Sequence, residues 1–255
     1  MSTSETATDQ TTPDPASPTN WSRPIEGATV LVTGANRGLG QVLARAFVAA
    51  GAAKVYGGAR DEATVTEPGV VPVQLDITDP ASVARAAEQC GDVSLLVNNA
   101  GVSTGTPATG PIEQARRDME TNYFGTMSIS QVFAPVLARN GGGALVNVLS
   151  VLSWFSMPMT AAYCASKSAE WSLTNSLRVE LLPQDTLVVG VHVGFMDTDM
   201  TARLEVPKLA PEVVAEQVIV ALAEGRSEVL ADEISVSVRA GLAGGIDQLY
   251  PGVAV

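Results

Sequence analysis

The chain has 255 residues, of which 46% are hydrophobic, and this composition is typical of one α/β domain with a substantial core. Acidic residues outnumber basic ones by 27 to 15, and the resulting net charge of −12 argues against non-specific binding to nucleic acid or anionic membranes. The two cysteines, Cys90 and Cys164, show neither C-x-x-C nor Cys/His spacing, so the sequence predicts no disulfide framework and no metal site. We interpret them as reduced core thiols of a cytoplasmic protein.

The first twenty residues are rich in Ser, Thr and Pro, and they contain neither a basic residue nor an apolar run. This composition predicts a disordered N-terminal tail over 1–20, not a signal or transit peptide. No apolar stretch elsewhere approaches the ~18 residues that a membrane span needs. We therefore expect one folded domain over 21–255 and no membrane partner.

Short apolar, β-branched runs alternate with segments of helical periodicity along this domain. Strands are predicted at 28–33, 54–56, 70–75, 93–97, 144–149, 187–193 and 228–230. Helices are predicted directly after the first strand and around 80–90, 111–139, 161–182 and 211–224. Parallel neighbours need long connections, and right-handed crossovers place helices on both faces. The pattern predicts an α/β fold, a doubly wound parallel sheet of seven strands in a single domain.

A glycine-rich turn, 33–40 (TGANRGLG), joins the first strand to the first helix. Its glycines are spaced G-x-x-x-G-x-G, which differs from the G-x-G-x-x-G fingerprint but has the same physical logic. Glycines allow a tight turn and close backbone approach, and the helix N-terminus offers unpaired N–H groups to a pyrophosphate. The turn predicts dinucleotide binding, although a simple tight loop would look similar. The contact residues that we expect are Gly34, Asn36, Arg37, Gly38, Leu39 and Gly40.

A tyrosine and a lysine four residues apart, Tyr163 and Lys167, fall on one face of the helix predicted at 161–182. A neighbouring ammonium stabilises a phenolate, so we expect the pKa of Tyr163 to lie below the ordinary ~10, within reach of proton transfer near neutral pH. Ser150 ends the fifth predicted strand, where its hydroxyl can polarise a carbonyl oxygen. Tyr/Lys pairs are common on helices, and alone this one is weak evidence of catalysis.

These motifs together resemble those of the short-chain dehydrogenase/reductase family over roughly residues 27–232. The resemblance is carried by T-G-A-N-R-G-L-G at 33–40, N-N-A-G at 98–101, Asn122, Ser150 and Y-C-A-S-K at 163–167. It implies a Rossmann-type NAD(P)-binding catalytic domain, a nicotinamide cofactor and the catalytic tetrad Asn122, Ser150, Tyr163 and Lys167. Tyr163 and Lys167 also contact the cofactor in this interpretation, because the lysine binds the nicotinamide ribose. Asn122 holds a water that relays protons in the family, but a helix-interior Asn that satisfies a backbone group is an open alternative.

The resemblance also implies contacts along the crevice. Asn99, Ala100 and Gly101 follow a buried strand, where small residues leave room for the adenosine ribose, although a plain polar turn is the alternative. Asp76 and Ile77 take a place beside the adenine, and a helix-capping role for Asp76 is equally open.

The nicotinamide end shows one departure from the family pattern. Gly194 and Thr198 keep the spacing of a loop that covers the nicotinamide, but Val193 stands where the family usually has proline. The exchange restores an N–H and frees φ, which loosens the loop without removing the contact. We interpret His192, directly before it, as a strand residue and not as a base.

Cofactor choice is expected at the end of the second strand, which carries no acidic residue to bind both ribose hydroxyls. Arg60 comes next, and with Arg37 it can converge on a 2′-phosphate, so the sequence favours NADP(H) over NAD(H). Asp61 could pair with Arg60 or replace the missing acid, but we expect it to cap the next helix.

The substrate segment, 151–159, contains six apolar residues, which favours a pocket wall over packing beneath a lid. We expect a small-to-medium apolar ketone, aldehyde or secondary alcohol as substrate. The alternatives are a 3-oxoacyl-thioester reductase, although the Val-Asp-Gly-Gly ending of that branch is absent, and a non-catalytic NADP-sensing or scaffold protein. Apolar residues on more than one face of the helices at 111–139 and 161–182 predict a homodimer or homotetramer.

Overall fold

The structure is a computed structural model and describes residues 25–250. The predicted tail at 1–20 lies outside the described residues, as do 21–24 and 251–255. The strands are β1 (Thr29–Thr33), β2 (Lys54–Ala59), β3 (Val70–Gln74), β4 (Leu95–Asn98), β5 (Gly143–Val148), β6 (Thr186–His192) and β7 (Glu228–Leu230). They form one seven-stranded sheet in the order β3-β2-β1-β4-β5-β6-β7, and every pair is parallel. The predicted α/β fold is confirmed.

The helices follow the predicted positions with two differences. They are α1 (Gly38–Ala49), α2 (Pro80–Gln89), α3 (Ile112–Met119), α4 (Thr126–Arg139), α5 (Ala161–Glu180), α6 (Pro211–Ala223), α7 (Glu233–Gly241) and α8 (Ile246–Leu249). The helix expected at 111–139 is divided, because a π-helical segment, Glu120–Gly125, joins α3 to α4. The helices α7 and α8 after the last strand were not predicted. Among residues 25–250, the structure has no helix long and apolar enough to cross a membrane.

Two apolar layers cover the sheet, one on each face. Val30 and Val32 of β1 point into the layer that α1 and α6 complete, whereas Leu31 points into the layer of α2, α4 and α5. This alternation is the period-two geometry of a strand that is buried on both faces. The arrangement leaves the carboxyl ends of the strands free to carry polar groups.

The strand order reverses between β1 and β4, since β1 is followed by β2 on one side and β4 on the other. The segments that leave the carboxyl ends of these two strands lead to helices on opposite faces, α1 and α4, and such a switch point is the usual position of the ligand crevice in such sheets. The glycine turn, the Asn98–Gly101 segment and Ser150 all leave strands at this edge. The fold therefore brings the predicted site residues to one side of the molecule.

Candidate active site

Ser150 lies directly after β5 and is held by local backbone groups. Its Oγ accepts a hydrogen bond from the Leu152 N–H at 3.1 Å and donates a long one, 3.4 Å, to the Val193 carbonyl. Only 5% of the residue is exposed. The long donor bond is the weaker of the two, so the hydroxyl proton can turn towards a substrate oxygen at little cost.

Lys167 and Tyr163 lie on α5, in its first two turns. The Lys167 ammonium is buried, and Nζ donates to the Val148 carbonyl at 2.8 Å and to Glu170 Oε2 at 2.6 Å. Nζ also lies 6.0 Å from the centre of the Tyr163 ring. The predicted one-face arrangement is present, but a carboxylate that we did not predict shares the lysine. The sequence signal for this contact was the three-residue spacing of Lys167 and Glu170, because residues three apart on a helix are neighbours.

The pKa of Tyr163 is raised above its ordinary value, in contrast to our expectation of a lowered one. Burial is the main cause, and the Lys167 charge opposes it. The Glu170 carboxylate adds to the upward shift, whereas a hydrogen bond with the Ser150 hydroxyl acts downward. The expectation was wrong because it counted the lysine and left out both burial and the lysine's own partner.

Asn122 lies in the π-helical segment and is fully buried. Its Oδ1 accepts from the Val102 N–H and its Nδ2 donates to the Val102 carbonyl, each at 2.8 Å. Nδ2 also donates to Ser166 Oγ at 2.8 Å, one residue before Lys167. The alternative that Asn122 satisfies backbone groups therefore describes its side chain, and these bonds hold the loop after Gly101 against α5.

The glycine turn packs against the end of β4. Asn99 Nδ2 donates to the Thr33 carbonyl at 2.9 Å and to that of Gly34 at 3.3 Å. A Cβ on Gly40 would lie 2.2 Å from the Gly34 oxygen, so no other residue fits there. The backbone N–H groups of Asn99 and Ala100 donate to Thr33 Oγ1. Asn99 and Ala100 thus pack directly against the glycine turn.

The N-terminus of α1 has the features that a dinucleotide pyrophosphate needs. Its N-cap, Arg37, makes no capping side-chain bond, and the first turn contains no acidic residue. The turn includes Asn36 and Leu39, and Gly34 and Gly38 have positive φ values of 66° and 52°. At Gly101, a Cβ would lie 3.2 Å from Asn122 Oδ1 and 3.8 Å from Lys167 Nζ, so the glycine keeps the crevice open beside the lysine. These residues fit a nicotinamide dinucleotide.

The segment after β3 is organised by a turn at Asp76. Asp76 Oδ1 accepts from the N–H and the hydroxyl of Thr78 at 2.9 and 2.7 Å, and Ile77 is buried beside it. The helix-capping alternative for Asp76 is wrong, because Asp79 caps α2 through the Ala81 N–H. The partly buried Asp76 and the buried Ile77 therefore sit at the carboxyl end of β3, where the resemblance places the adenine.

The two arginines proposed to bind a phosphate are both exposed but have different surroundings. Arg60 has no hydrogen bond or ion pair with any residue between 25 and 250. Arg37 Nη1 pairs with Asp199 Oδ2 at 3.2 Å, and both side chains are more than 70% exposed. Asp61 accepts from the Ala63 N–H at 3.1 Å and caps a short 3₁₀ helix, as expected. Within residues 25–250, the Arg60 guanidinium thus has no competing partner, and Arg37 has a weak one.

Gly194 and Thr198 are held over the crevice by partners that the sequence did not reveal. The Gly194 N–H donates to Asp232 Oδ2 at 2.7 Å, and Asp232 Oδ1 also caps α7. A Cβ on Gly38 would lie 3.5 Å from Thr198 Cγ2, so the loop passes directly over the glycine turn. The loop is therefore anchored without the missing proline.

The substrate segment divides into buried and exposed residues. Trp154 is only 8% exposed and stacks on His192 with 3.7 Å between ring centres, and Val151 is also buried. The residues that face outward in part or fully are Leu152, Phe155, Met157 and Met159. Val151 and Trp154 thus pack into the protein, whereas the other four apolar side chains of the segment face solvent in part or fully.

His192 lies behind Ser150. Its Nδ1 is 3.3 Å from the Ser150 carbonyl oxygen, and burial lowers the pKa of the imidazole to about 3. The ring is therefore neutral at physiological pH and supports the Ser150 backbone, in agreement with its interpretation as a strand residue.

Comparisons with known proteins identify the family to which these motifs belong. The family described as short chain dehydrogenase matches residues 28–208. Dehydrogenase/reductase SDR family member 7B of Bos taurus is 35% identical over 196 residues, which are 69% of this chain. The chain spans 60% of the length of that relative. An NADP-dependent 3-hydroxy acid dehydrogenase of Schizosaccharomyces pombe is 27% identical over 82% of this chain and 92% of its own length.

A solved structure is also similar to this chain. A short chain dehydrogenase from Burkholderia cenocepacia, crystallised in complex with NADP, is 40% identical and superposes with a TM-score of 0.85. The alignment covers 89% of this chain and 97% of that one. The family match, the fold and the crevice together show that this chain belongs to the short-chain dehydrogenase/reductase family of oxidoreductases.

Proposed function

We propose that this protein is an NADP(H)-dependent oxidoreductase that interconverts a carbonyl and an alcohol on a small-to-medium apolar substrate. The observation that carries the proposal is the meeting of Ser150, Tyr163 and Lys167 beside the glycine turn. In this geometry one buried cation faces a phenol, and a hydroxyl with a weak donor bond lies next to it. That set serves proton transfer to a carbonyl oxygen.

The residues divide the work as follows. The cofactor, when bound, supplies or accepts the hydride. Tyr163 gives its phenolic proton to the substrate oxygen in the reduction and takes it back in the oxidation. Ser150 donates a hydrogen bond to that oxygen as negative charge develops. Lys167 stabilises the phenolate through its charge, and its remaining N–H is available to the ribose.

NADP(H) as the preferred cofactor is supported by Arg60 and Arg37 and by two comparisons. Arg37 directly precedes α1 in the glycine turn, Arg60 directly follows β2, and the Arg60 guanidinium has no partner among residues 25–250. The Burkholderia structure is a complex with NADP, and the fission yeast relative is named NADP-dependent.

The apolar substrate is supported by the partly exposed side chains of Leu152, Phe155 and Met157, which follow Ser150 in the chain. The alternative of a 3-oxoacyl-thioester reductase has no specific support in the described residues. The name of the fission yeast relative adds 3-hydroxy acids to the compounds worth testing. A non-catalytic NADP-sensing role is disfavoured because the four tetrad residues lie together at one edge of the sheet.

The test is NADPH oxidation against a panel of apolar ketones and aldehydes, a 3-oxo acid and a 3-oxoacyl thioester. Tyr163→Phe removes the transferable proton, so turnover should fall at least about 100-fold. Cofactor affinity, measured by NADPH fluorescence, should stay within about twofold. Residual activity above about one per cent would contradict the role of Tyr163, and no turnover of any compound by the wild type would favour the sensor.

Two further proposals concern the whole protein. We propose that it is a homodimer or homotetramer, supported by exposed apolar side chains on α3 and on the π-helical segment after it, including Ile112 and Phe124. We also propose a cytoplasmic location, supported by Cys90 and Cys164, which are buried free thiols on separate elements.

A further inference from the structure

Glu170 is a buried carboxylate beside the proposed catalytic lysine. It lies one turn after Lys167 on α5, is 1% exposed, and its Oε2 is 2.6 Å from Nζ. The side chains of this pair are only 6% and 2% exposed, so solvent screens their interaction very little. Glu170 contacts Lys167, and Lys167 lies beside Tyr163. The Glu170 carboxylate therefore changes the electrostatic environment of the Tyr163 phenol.

The position of Glu170 is fixed by a chain of hydrogen bonds from the sheet. Thr174 Oγ1 donates to the Glu170 carbonyl at 2.8 Å and accepts from Asn147 Nδ2, also at 2.8 Å. Asn147 Oδ1 accepts in turn from Asn98 Nδ2 at 2.9 Å. This chain connects β4 and β5 to the turn of α5 that presents the carboxylate, so the Glu170 backbone has little freedom to move away.

The two bonds of Lys167 leave one direction for its third N–H. With the Val148 carbonyl and Glu170 as partners, Nζ is held 6.0 Å from the Tyr163 ring centre. We propose that Glu170 is a positioning residue, which holds the Lys167 ammonium in place and offsets part of its charge, and so sets the pH at which Tyr163 exchanges its proton. This inference rests on the proposed function of Tyr163.

The charges around the pair agree with this role. The pKa of Glu170 is raised by burial to about 7, against the pull of Lys167, so the carboxylate gains its charge near neutral pH. Burial lowers the pKa of Lys167, but Glu170 and the neighbouring phenol more than offset this and leave it raised. From the packed strand β6, His192 is close enough for the Lys167 charge to act on its ring, and this histidine is neutral above about pH 3. Glu170 is therefore the group that can change the charge beside Lys167 near neutral pH.

The test is Glu170→Gln, which keeps an oxygen that Lys167 can donate to and removes the negative charge. Tyr163 ionisation is followed in the full chain by tyrosinate absorbance, as the difference between each protein and its Tyr163→Phe counterpart. The ionisation midpoint should fall by about one pH unit or more, because a carboxylate no longer opposes the phenolate. The upper limb of the kcat/KM profile for carbonyl reduction should move in the same direction.

Glu180→Gln is the matched control, since it makes the same change at an exposed position of α5 and should leave the midpoint unchanged. Glu170→Asp draws the charge back by one methylene and should produce a smaller fall, which covers the case that the glutamine variant does not fold. A midpoint equal to that of the wild type in each folded Glu170 variant would overturn the inference. The absorbance readout needs no substrate, so this result is separate from a failure of the proposed enzymatic activity.

Discussion

His192 is the single histidine of the sequence, and its burial determines how it responds to acid. Its Nε2 has no hydrogen-bond partner among residues 25–250, and Glu228 Oε1 is 4.0 Å away. Burial, the largest influence, lowers the pKa of the ring to about 3, whereas the unfolded chain protonates near the ordinary ~6.5. Between about pH 6.5 and pH 3 the unfolded state therefore binds up to one more proton than the folded state.

The consequence is a loss of stability in acid that depends on this residue. As pH falls from about 6.5 towards 3, His192 should lower the free energy of unfolding by up to about 1.4 kcal/mol per pH unit. The His192→Phe variant keeps a ring against Trp154 and cannot take up the proton, so its urea midpoint should vary less between about pH 7 and pH 5. Equal pH dependence in the two proteins would contradict this account.

Arg37 and Arg60 are the two residues expected to determine the preference for NADP(H). A charge-assisted hydrogen bond contributes ~1.5–3 kcal/mol, so Arg60→Ala should weaken NADP(H) binding roughly ten- to a hundredfold and leave NAD(H) little changed. The loss for Arg37→Ala should fall at the lower end, because this guanidinium gives up its Asp199 partner to bind a phosphate.

Kinetics with both cofactors check this prediction, and Arg226→Ala is the control. Arg226 is paired with Glu224 just before β7 and lies at the opposite edge of the sheet from the crevice. Equal losses for the two cofactors, or a wild type that prefers NADH, would show that these arginines do not bind the 2′-phosphate.

Buried polar side chains connect the strands β4 and β5 to the helix α5. Asn147 of β5 bonds Asn98 of β4 on one side and Thr174 of α5 on the other, and all three are buried. Removing the middle member leaves a buried donor or acceptor without its partner on each side. Such groups cost about 1–3 kcal/mol each when left unpaired.

Asn147→Leu should therefore lower the free energy of unfolding by about 2–4 kcal/mol, measured by urea denaturation. Ser176→Ala, at an exposed position of α5, should change the free energy of unfolding by less than about 0.5 kcal/mol. If Asn147→Leu were as stable as the wild type, the chain of hydrogen bonds would not hold β4, β5 and α5 together.

Some exposed apolar side chains of the molecule lie outside the two apolar layers that cover the sheet. Phe124 is 50% and Ile112 is 62% exposed, and both line a cavity of about 350 Å³ with Met119. Other apolar residues of the helix predicted at 111–139, such as Ile129 and Phe133, are fully buried in the core. The proposed interface is thus smaller than the sequence pattern indicated.

Light scattering at micromolar concentration tests the proposed oligomer. We expect a dimer or tetramer for the wild type and a lower assembly for Phe124→Glu, because a charge in an apolar interface is costly to desolvate. Val71→Glu, an exposed change on the edge strand β3, should leave the assembly intact. A monomeric wild type would refute the proposal.

The sequence by itself determined the fold and the position of the site. Strand alternation, the glycine turn and the four-residue spacing of Tyr163 and Lys167 are local patterns, and neighbouring residues impose them through sterics and periodicity. The Asp61 cap has the same local origin. The carboxyl edge of the sheet followed as well, because parallel strands place their ends together.

Only the tertiary structure decided which charges act on those residues. The pairing of Gly194 with Asp232 and of Arg37 with Asp199 joins residues 38 and 162 positions apart, which no local pattern encodes. The burial that raises the pKa of Tyr163 is likewise the sum of packing from several elements. Electrostatic effects depend on distance and burial in space, and these quantities exist only once the chain has folded.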